Sequence, residues 1–397
     1  MKILMLTPYL PFPLLSGGQI RTYNLLKKLA KKHDVTLFSL IKDNDEKKYI
    51  PELEKYCENV RVFKRSTKPF TIKNIFRTAF STYPFLVIRN HAPEIISAVK
   101  KELKKNKYDL IHAETFYMMP HIPKTTIPTI LVEQTIEYLG YESYAKKALF
   151  FIRAILSIDI AKIRKWEKYY WKACDTLIVM SEEDKKYIAK EIKESKKIEV
   201  VANGVDTAWF EEIKKTQHKY PTLLSVGTFK WLPNVEAVEF LVNKVWPIVK
   251  KYMPEAKLWI VGNEPTQKVY QYEKDDESIK VTGRIPDIRD AFAGADVLMA
   301  PVFSGKGTRY KVLEAMASNT PIVSTSTAVE GLDVNNGTHV MISNDPEDMA
   351  RLAVDLLRNP EKRQKMASFG KKFVKDNYDW SLISDKLDKI YKRIGSK

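Results

Sequence analysis

Thirteen short apolar runs, separated by helix-length stretches, confine this chain to the α/β class. Seven lie in the first half: Lys2–Thr7, Val35–Leu40, Val60–Lys64, Leu110–Glu114, Thr129–Glu133, Thr176–Met180 and Glu199–Asn203. Six more lie in the second: Thr222–Gly227, Lys257–Gly262, Ile279–Gly283, Val297–Pro301, Pro321–Thr325 and His339–Ser343. Strands buried on both faces are apolar throughout rather than alternating. The stretches between them are amphipathic. In Gln19–Lys32, Leu25, Leu26 and Leu29 share one helical face while Lys27, Lys28, Lys31 and Lys32 lie off it. This alternation predicts parallel sheets with helices on both sides.

A polar stretch, Thr207–Tyr220, carries no strand signal and is expected to be a linker. The 397 residues suffice for two domains. The expected division is 1–206, a linker at 207–220, and 221–377, with 378–397 returning to the first domain. A cleft between two such domains is the default site.

Net charge is +17, which calls for an anionic partner. No glycine-rich RNA motif, zinc finger or basic zipper points to nucleic acid. The two cysteines, Cys57 and Cys174, offer neither a metal cluster nor a disulfide framework, as suits a reducing compartment. The apolar stretch in Met1–Pro8 is too short for a secretory signal. The longest apolar run, Leu149–Ile158, falls well short of the roughly 20 residues of a bilayer span. The expected location is the cytoplasm, with peripheral contact on the inner face of a membrane.

The most chemically loaded stretch is Phe303–Ala317. It reads as a turn between two strands that opens a helix. Gly305 and Gly307 let backbone approach a ligand, and Lys306, Arg309 and Lys311 bring positive charge. With the helix N-terminus this corner suits a diphosphate, and Glu314 on the helix suits ribose hydroxyls. A solvated charge run with a surface acid is the plainer reading of the same residues. Gly227, Gly262 and Gly283 each end a strand, where ligands of open α/β sheets bind, although any one could be a simple turn residue. Between the first strand and its helix lie Gly17 and Gly18. This glycine pair matches neither the dinucleotide fingerprint nor a Walker A loop.

Together these residues resemble the family 4 glycosyltransferases. The resemblance runs in order over nearly the whole chain. It rests on Ser16-Gly17-Gly18, Ser181-Glu182-Glu183-Asp184, Val201-Ala202-Asn203-Gly204-Val205-Asp206 and Gly227 with Pro233-Asn234. It continues through Leu258–Gly262, Gly283-Arg284-Ile285-Pro286-Asp287, Leu313-Glu314-Ala315-Met316-Ala317 and Pro321-Ile322-Val323. It implies the two-Rossmann GT-B architecture, two domains across a cleft, and metal-independent, retaining transfer of a sugar from a UDP- or GDP-linked donor to a lipid-linked or glycan acceptor. No cofactor is implied. Donor contacts would come from Gly17, Gly18, Gly227, Thr228, Asn234, Gly283, Arg284, Gly305, Gly307, Thr308, Arg309, Lys311 and Glu314. His112 and Glu114, at the end of the fourth strand, stand where the family often has two histidines and would carry the catalytic role. Two departures stand out. Lys306 occupies the place of the family's first motif glutamate, and Thr228 and Asn234 lie near its usual Arg and Lys. A subgroup with Gly-Thr-Arg-x-Lys-x-Leu-Glu in this turn is similar in that respect. A nucleotide-sugar epimerase of the same fold, and a non-catalytic, membrane-associated nucleotide-sugar binding protein, fit the same residues.

Two further stretches bear on metals and membranes. Asp43-Asn44-Asp45 mimics a metal-binding triplet but reads as a solvated turn. From Asn59 to Pro93 there are seven cations and no acid. Within that stretch Ile72, Ile75, Phe76, Ala79 and Phe80 fall at helical spacing, with Lys73 and Arg77 off the stripe. An interfacial helix on an anionic membrane has this pattern, and so does a core helix with a basic outer face. The expected membrane contacts are Ile72, Lys73, Phe76, Arg77 and Phe80.

Overall fold

The computed structural model describes residues 1–397 apart from 69, 147, 194–197, 217–218, 305–309 and 396–397. All thirteen apolar runs form strands. In the first half these are β1 (Lys2–Thr7), β2 (Asp34–Ile41), β3 (Asn59–Lys64), β4 (Leu110–Glu114), β5 (Thr129–Glu133), β6 (Thr176–Val179) and β7 (Ile198–Val200). The second half holds β8 (Thr222–Val226), β9 (Lys257–Val261), β10 (Ile279–Thr282), β11 (Val297–Ala300), β12 (Ile322–Ser324) and β13 (Met341–Ile342). They build two sheets in which every pairing is parallel, ordered β3-β2-β1-β4-β5-β6-β7 and β10-β9-β8-β11-β12-β13. Strand order reverses between β1 and β4 in one sheet and between β8 and β11 in the other. Such switch points, at the carboxyl ends of the strands, are where open α/β sheets bind ligands.

The chain divides into two compact units, Met1–Ala202 with Ile383–Lys397, and Asn203–Leu382. Of the stretch expected to return, 378–397, the part from Ile383 onward belongs to the first unit, while 378–382 belong to the second. The central strands of the first sheet are almost wholly buried: Ile3, Leu4, Leu6, Ile111, Ala113, Ile130 and Leu131 are each 0% exposed. In the second unit Leu223, Leu258, Ile260, Val297 and Met299 hold the same position. The expected linker, 207–220, instead starts inside the second unit. Its first part is a helix, Thr207–Glu211, capped by Asp206. Lys215 then sends its Nζ to Phe292 O at 2.7 Å and to Thr320 Oγ1 at 2.6 Å. Sequence reading treats such a lysine as solvated, whereas here its stem is buried and its head is satisfied by a backbone carbonyl and a hydroxyl. Asp43-Asn44-Asp45 forms a capped turn, with the Asp43 carboxylate accepting from Asp45 N at 3.2 Å.

The basic stretch produces a helix, Ile72–Phe80, that points its apolar stripe outward. Ile72 is 78% exposed and Phe80 85%, and Asn74 alone among its residues is buried. The alternative of a core helix with a basic outer face does not describe it.

Candidate active site

In the second unit the switch point is built by the segments after β8 and β11. Gly227 directly succeeds β8, and its N–H donates to Val261 O at 3.0 Å. A Cβ on Gly227 would lie 2.9 Å from Asn234 Cγ, and one on Gly262 would run into the Gly227 carbonyl. These two strand-end glycines are thus needed by the backbone itself, which comes too close for a side chain. A Cβ on Gly283 would meet only Tyr270 Oη, at 3.5 Å, an ordinary contact. Arg284 beside it is exposed.

Asn234 fixes this corner. Its Nδ2 donates to Thr228 O at 2.9 Å, and its Oδ1 accepts from Lys311 Nζ at 3.0 Å. Lys311 lies in the first turn of the helix Tyr310–Ala317, and Glu314 lies one turn further along. Burial pushes the Glu314 carboxyl up to about 7, with the Lys311 charge pulling the other way. The helix is seated by Val312, Leu313, Ala315 and Met316, all buried. Thr228, Asn234, Lys311 and Glu314 therefore share the carboxyl edge of β8 and β11. Gly305, Lys306, Gly307, Thr308 and Arg309 lie outside the described residues.

In the first unit the switch point holds a buried polar chain. His112 and Glu114, both on β4, are 0% and 1% exposed, with His112 Nε2 3.0 Å from Glu114 Oε1. Tyr391, from the returning helix Trp380–Gly395, places its hydroxyl 2.6 Å from His112 Nδ1. Both ring nitrogens are thus engaged within the protein. Glu114 Oε2 accepts from Gln134 Nε2 at 2.7 Å, and the same nitrogen reaches Tyr9 Oη at 2.7 Å. Burial would raise the Glu114 carboxyl, but hydrogen bonding from His112, then the nearby His112 and Arg21 charges and Gln134, hold it below its ordinary value. Burial, and then the charge of Glu114, push the Tyr391 hydroxyl well up.

Gly17 opens the helix Gly17–Leu29, which Ser16 caps. A Cβ on Gly18 would collide with Tyr9 Oη and lie 2.6 Å from Gln134 Oε1. Thr115 comes after Glu114 with φ of 71°, a left-handed conformation rare for a β-branched residue. Strain of this kind, about 1–3 kcal/mol, gathers at functional sites. Tyr9, Gln134 and Tyr391 were missed by sequence reading. Each is unremarkable locally and is drawn in only by the sheet order.

Similarity to known proteins agrees with this geometry. Residues 15–209 match the "Glycosyltransferase Family 4" model and residues 220–359 the "Glycosyl transferases group 1" model. An uncharacterized 44.6 kDa protein in the cps region of Klebsiella pneumoniae is 24% identical, covering 95% of this chain and 96% of its own. A GDP-mannose-dependent monoacylated alpha-(1-6)-phosphatidylinositol monomannoside mannosyltransferase of Corynebacterium glutamicum is 25% identical over 37% of this chain and 42% of its own. Among solved structures, sucrose-phosphate synthase of Thermosynechococcus elongatus superposes with a TM-score of 0.73 at 16% identity, covering 100% of this chain and 99% of the other. The Anabaena protein Alr3699/HepE, solved with UDP and glucose, gives 0.67 at 16% identity, covering 99% and 100%.

Proposed function

This chain belongs to the family 4 glycosyltransferases and is an enzyme of the hexosyltransferase type, and we propose that it transfers a hexose, with retention, from a UDP- or GDP-linked donor to a lipid-linked or polysaccharide acceptor in cell-surface glycan synthesis. The observation that carries this reading is the buried Glu314 one turn beyond Lys311, whose charge acts on it and whose Nζ holds Asn234, at the second switch point. A glutamate there, when ionised, accepts hydrogen bonds from vicinal ribose hydroxyls. Lys311 and the N-terminus of its helix offset the charge that builds on the leaving diphosphate, without a metal. The relative that uses GDP-mannose and the fold neighbour that holds UDP support a nucleotide-linked donor.

In the first unit, His112 is proposed as a positioning residue for Glu114 and for the loop after β1, since both of its nitrogens are already engaged. The acceptor would approach over Gly18 and the strained Thr115.

A membrane surface is proposed as the place of work. The exposed stripe of Ile72, Phe76 and Phe80, flanked by Lys73 and Arg77, is joined by a second one. Phe150, Ile155 and Ile158 on the helix Phe150–Ala173 are 85%, 70% and 65% exposed. Lys162 of that helix binds Thr78 O at 2.7 Å and Ser81 O at 2.8 Å, so the two stripes share one side of the unit. Apolar surface ringed by cations fits an anionic bilayer. Among the described residues no helix is long and apolar enough to cross one.

The test is nucleotide release from UDP- and GDP-hexoses, with and without a membrane lipid extract, in EDTA. Acceptor-dependent release that persists in EDTA is expected. Interconversion of sugars without acceptor, or binding without turnover, would overturn the transferase reading.

A further inference from the structure

Two arginines of the first unit stand side by side, and among the described residues neither has an ion pair to balance it. Arg65 directly succeeds β3, and its Nη1 donates to Asn90 Oδ1 at 2.6 Å. Asn90 is 1% exposed and anchors its own Nδ2 on Leu86 O at 2.8 Å, so the bracket that holds this guanidinium is rigid. Arg89 precedes Asn90 on the helix Phe85–Asn90. Both arginines are half-buried, and the Nε of each is buried without a hydrogen-bond partner. Burial first, and then the neighbouring Arg89 charge, lower the Arg65 guanidinium from its ordinary value. A carboxyl that feels the Arg89 charge, Glu137, is itself pushed up to about 7 by burial.

Half-buried cations normally sit against a fixed counter-charge, because removing charge from water is costly. Here the structure brings two together beside the Asn90 amide and the Tyr117 and Tyr141 phenols, with Glu46 acting on Arg65 and Glu137 on Arg89 only through longer-range charge and neither in an ion pair with them among the described residues. That arrangement is electrostatically open to an incoming anion. The planar guanidinium fork matches phosphate oxygens, two at a time.

The position of the pair selects the kind of phosphate. Asn74, the buried residue of the exposed helix Ile72–Phe80, donates to Ser66 Oγ at 2.9 Å, and Ser66 is the next residue after Arg65. Phe70 stacks on Phe85, at the start of the Arg89 helix, with centroids 5.1 Å apart. The arginines thus lie at the foot of the exposed apolar face. We propose that Arg65 and Arg89 grip the phosphate of the acceptor, which is a phosphate-bearing lipid whose chains lie against the face of Ile72, Phe76 and Phe80. This assignment rests on the transferase reading and gives its acceptor a chemical class.

The full chain is titrated calorimetrically with dihexanoyl phosphatidic acid below its micelle concentration, with inorganic phosphate, and with UDP and GDP. Saturable binding of the short-chain lipid is expected. Arg65→Gln and Arg89→Gln should each weaken it by about tenfold or more, leaving nucleotide affinity unchanged. No lipid binding by the wild type, or equal binding by the glutamine variants, overturns the proposal. So does inorganic phosphate binding as tightly as the lipid, which would make this a free-phosphate site. Loss of UDP or GDP binding in the arginine variants would assign the pair to the donor and overturn it too. Failure of the transferase reading has a different signature: the wild type then shows no acceptor-dependent nucleotide release, whatever the arginines do. Should a glutamine variant unfold, Arg65→Lys and Arg89→Lys keep the charge but lose the fork; weaker lipid binding supports the proposal and unchanged binding overturns it.

Discussion

The Tyr391 hydroxyl lies 2.6 Å from His112 Nδ1, so the last helix of the chain reaches a buried strand-end histidine 279 residues earlier. Tyr391→Phe keeps the ring and its packing but strands that nitrogen. A buried polar group left unpaired costs about 1–3 kcal/mol. Urea unfolding monitored by tryptophan fluorescence should show a loss of that size. An unchanged midpoint would mean that the hydrogen bond contributes nothing.

In its proposed role, Glu314 should make donor affinity depend on pH. Its folded value of about 7 stands above the ordinary 4.5, so the folded protein holds the proton across that interval. The protein-stability contribution of this group is present below the lower value and is lost as pH rises through the upper one. Donor binding should run the opposite way, because in the proposed role it is the ionised form that would accept two ribose hydroxyls. UDP or GDP affinity should therefore weaken as pH falls below about 7, and Glu314→Gln should flatten that limb while weakening binding overall. A wild-type limb that survives the substitution would assign the titration to another group.

Lys311 lowers the Glu314 carboxyl and also holds Asn234. Lys311→Met should move the pH limb of nucleotide binding upward, since the counter-charge is gone while burial remains. It should also weaken diphosphate binding by about tenfold, the worth of one charge-assisted hydrogen bond. Nucleoside binding, without phosphates, should change far less, and comparing the two ligands separates the effects.

Gly18 has no room for a methyl group beside Tyr9 and Gln134. Gly18→Ala should displace the loop after β1 and cost about 1–3 kcal/mol, the usual range for overpacking. A loss in thermal melts and in turnover is the expected pattern, and an unchanged melt would mean that the loop yields without cost.

The outward stripe gives a further prediction. Phe76→Asp with Phe80→Asp should abolish co-sedimentation with anionic vesicles and leave the melting temperature little changed, because both side chains are exposed, at 61% and 85%. A core helix would respond in the reverse order, with stability failing first.

The strands were legible because a parallel strand buried on both faces has to be apolar along its length. Leu110–Glu114 and Thr129–Glu133 appear with the expected ends. The seam between units was less legible, since the composition of 207–220 looks like a linker while Lys215 is anchored inside the second unit. Glu314 and Lys311 could be paired in advance because one helix carries both. Tyr391 could not, as its contact with His112 depends on where the final helix goes. In sequence Arg65 and Arg89 are only two of the seven cations between Asn59 and Pro93. Only the fold shows that Asn90 brackets one beside the other.

The unit that begins with Met1 includes Ile383 onward, so its amino-terminal half cannot be complete while the chain is still being synthesised. Domains generally fold as units during synthesis, the amino-terminal one first. Here the second unit, Asn203–Leu382, has all its residues before the first one does. His112 waits for Tyr391, and His33 waits for Asp388, which reaches it at 2.8 Å. A nascent or truncated chain therefore carries the Glu314 corner before it carries the Tyr391 and Asp388 contacts that finish the first unit.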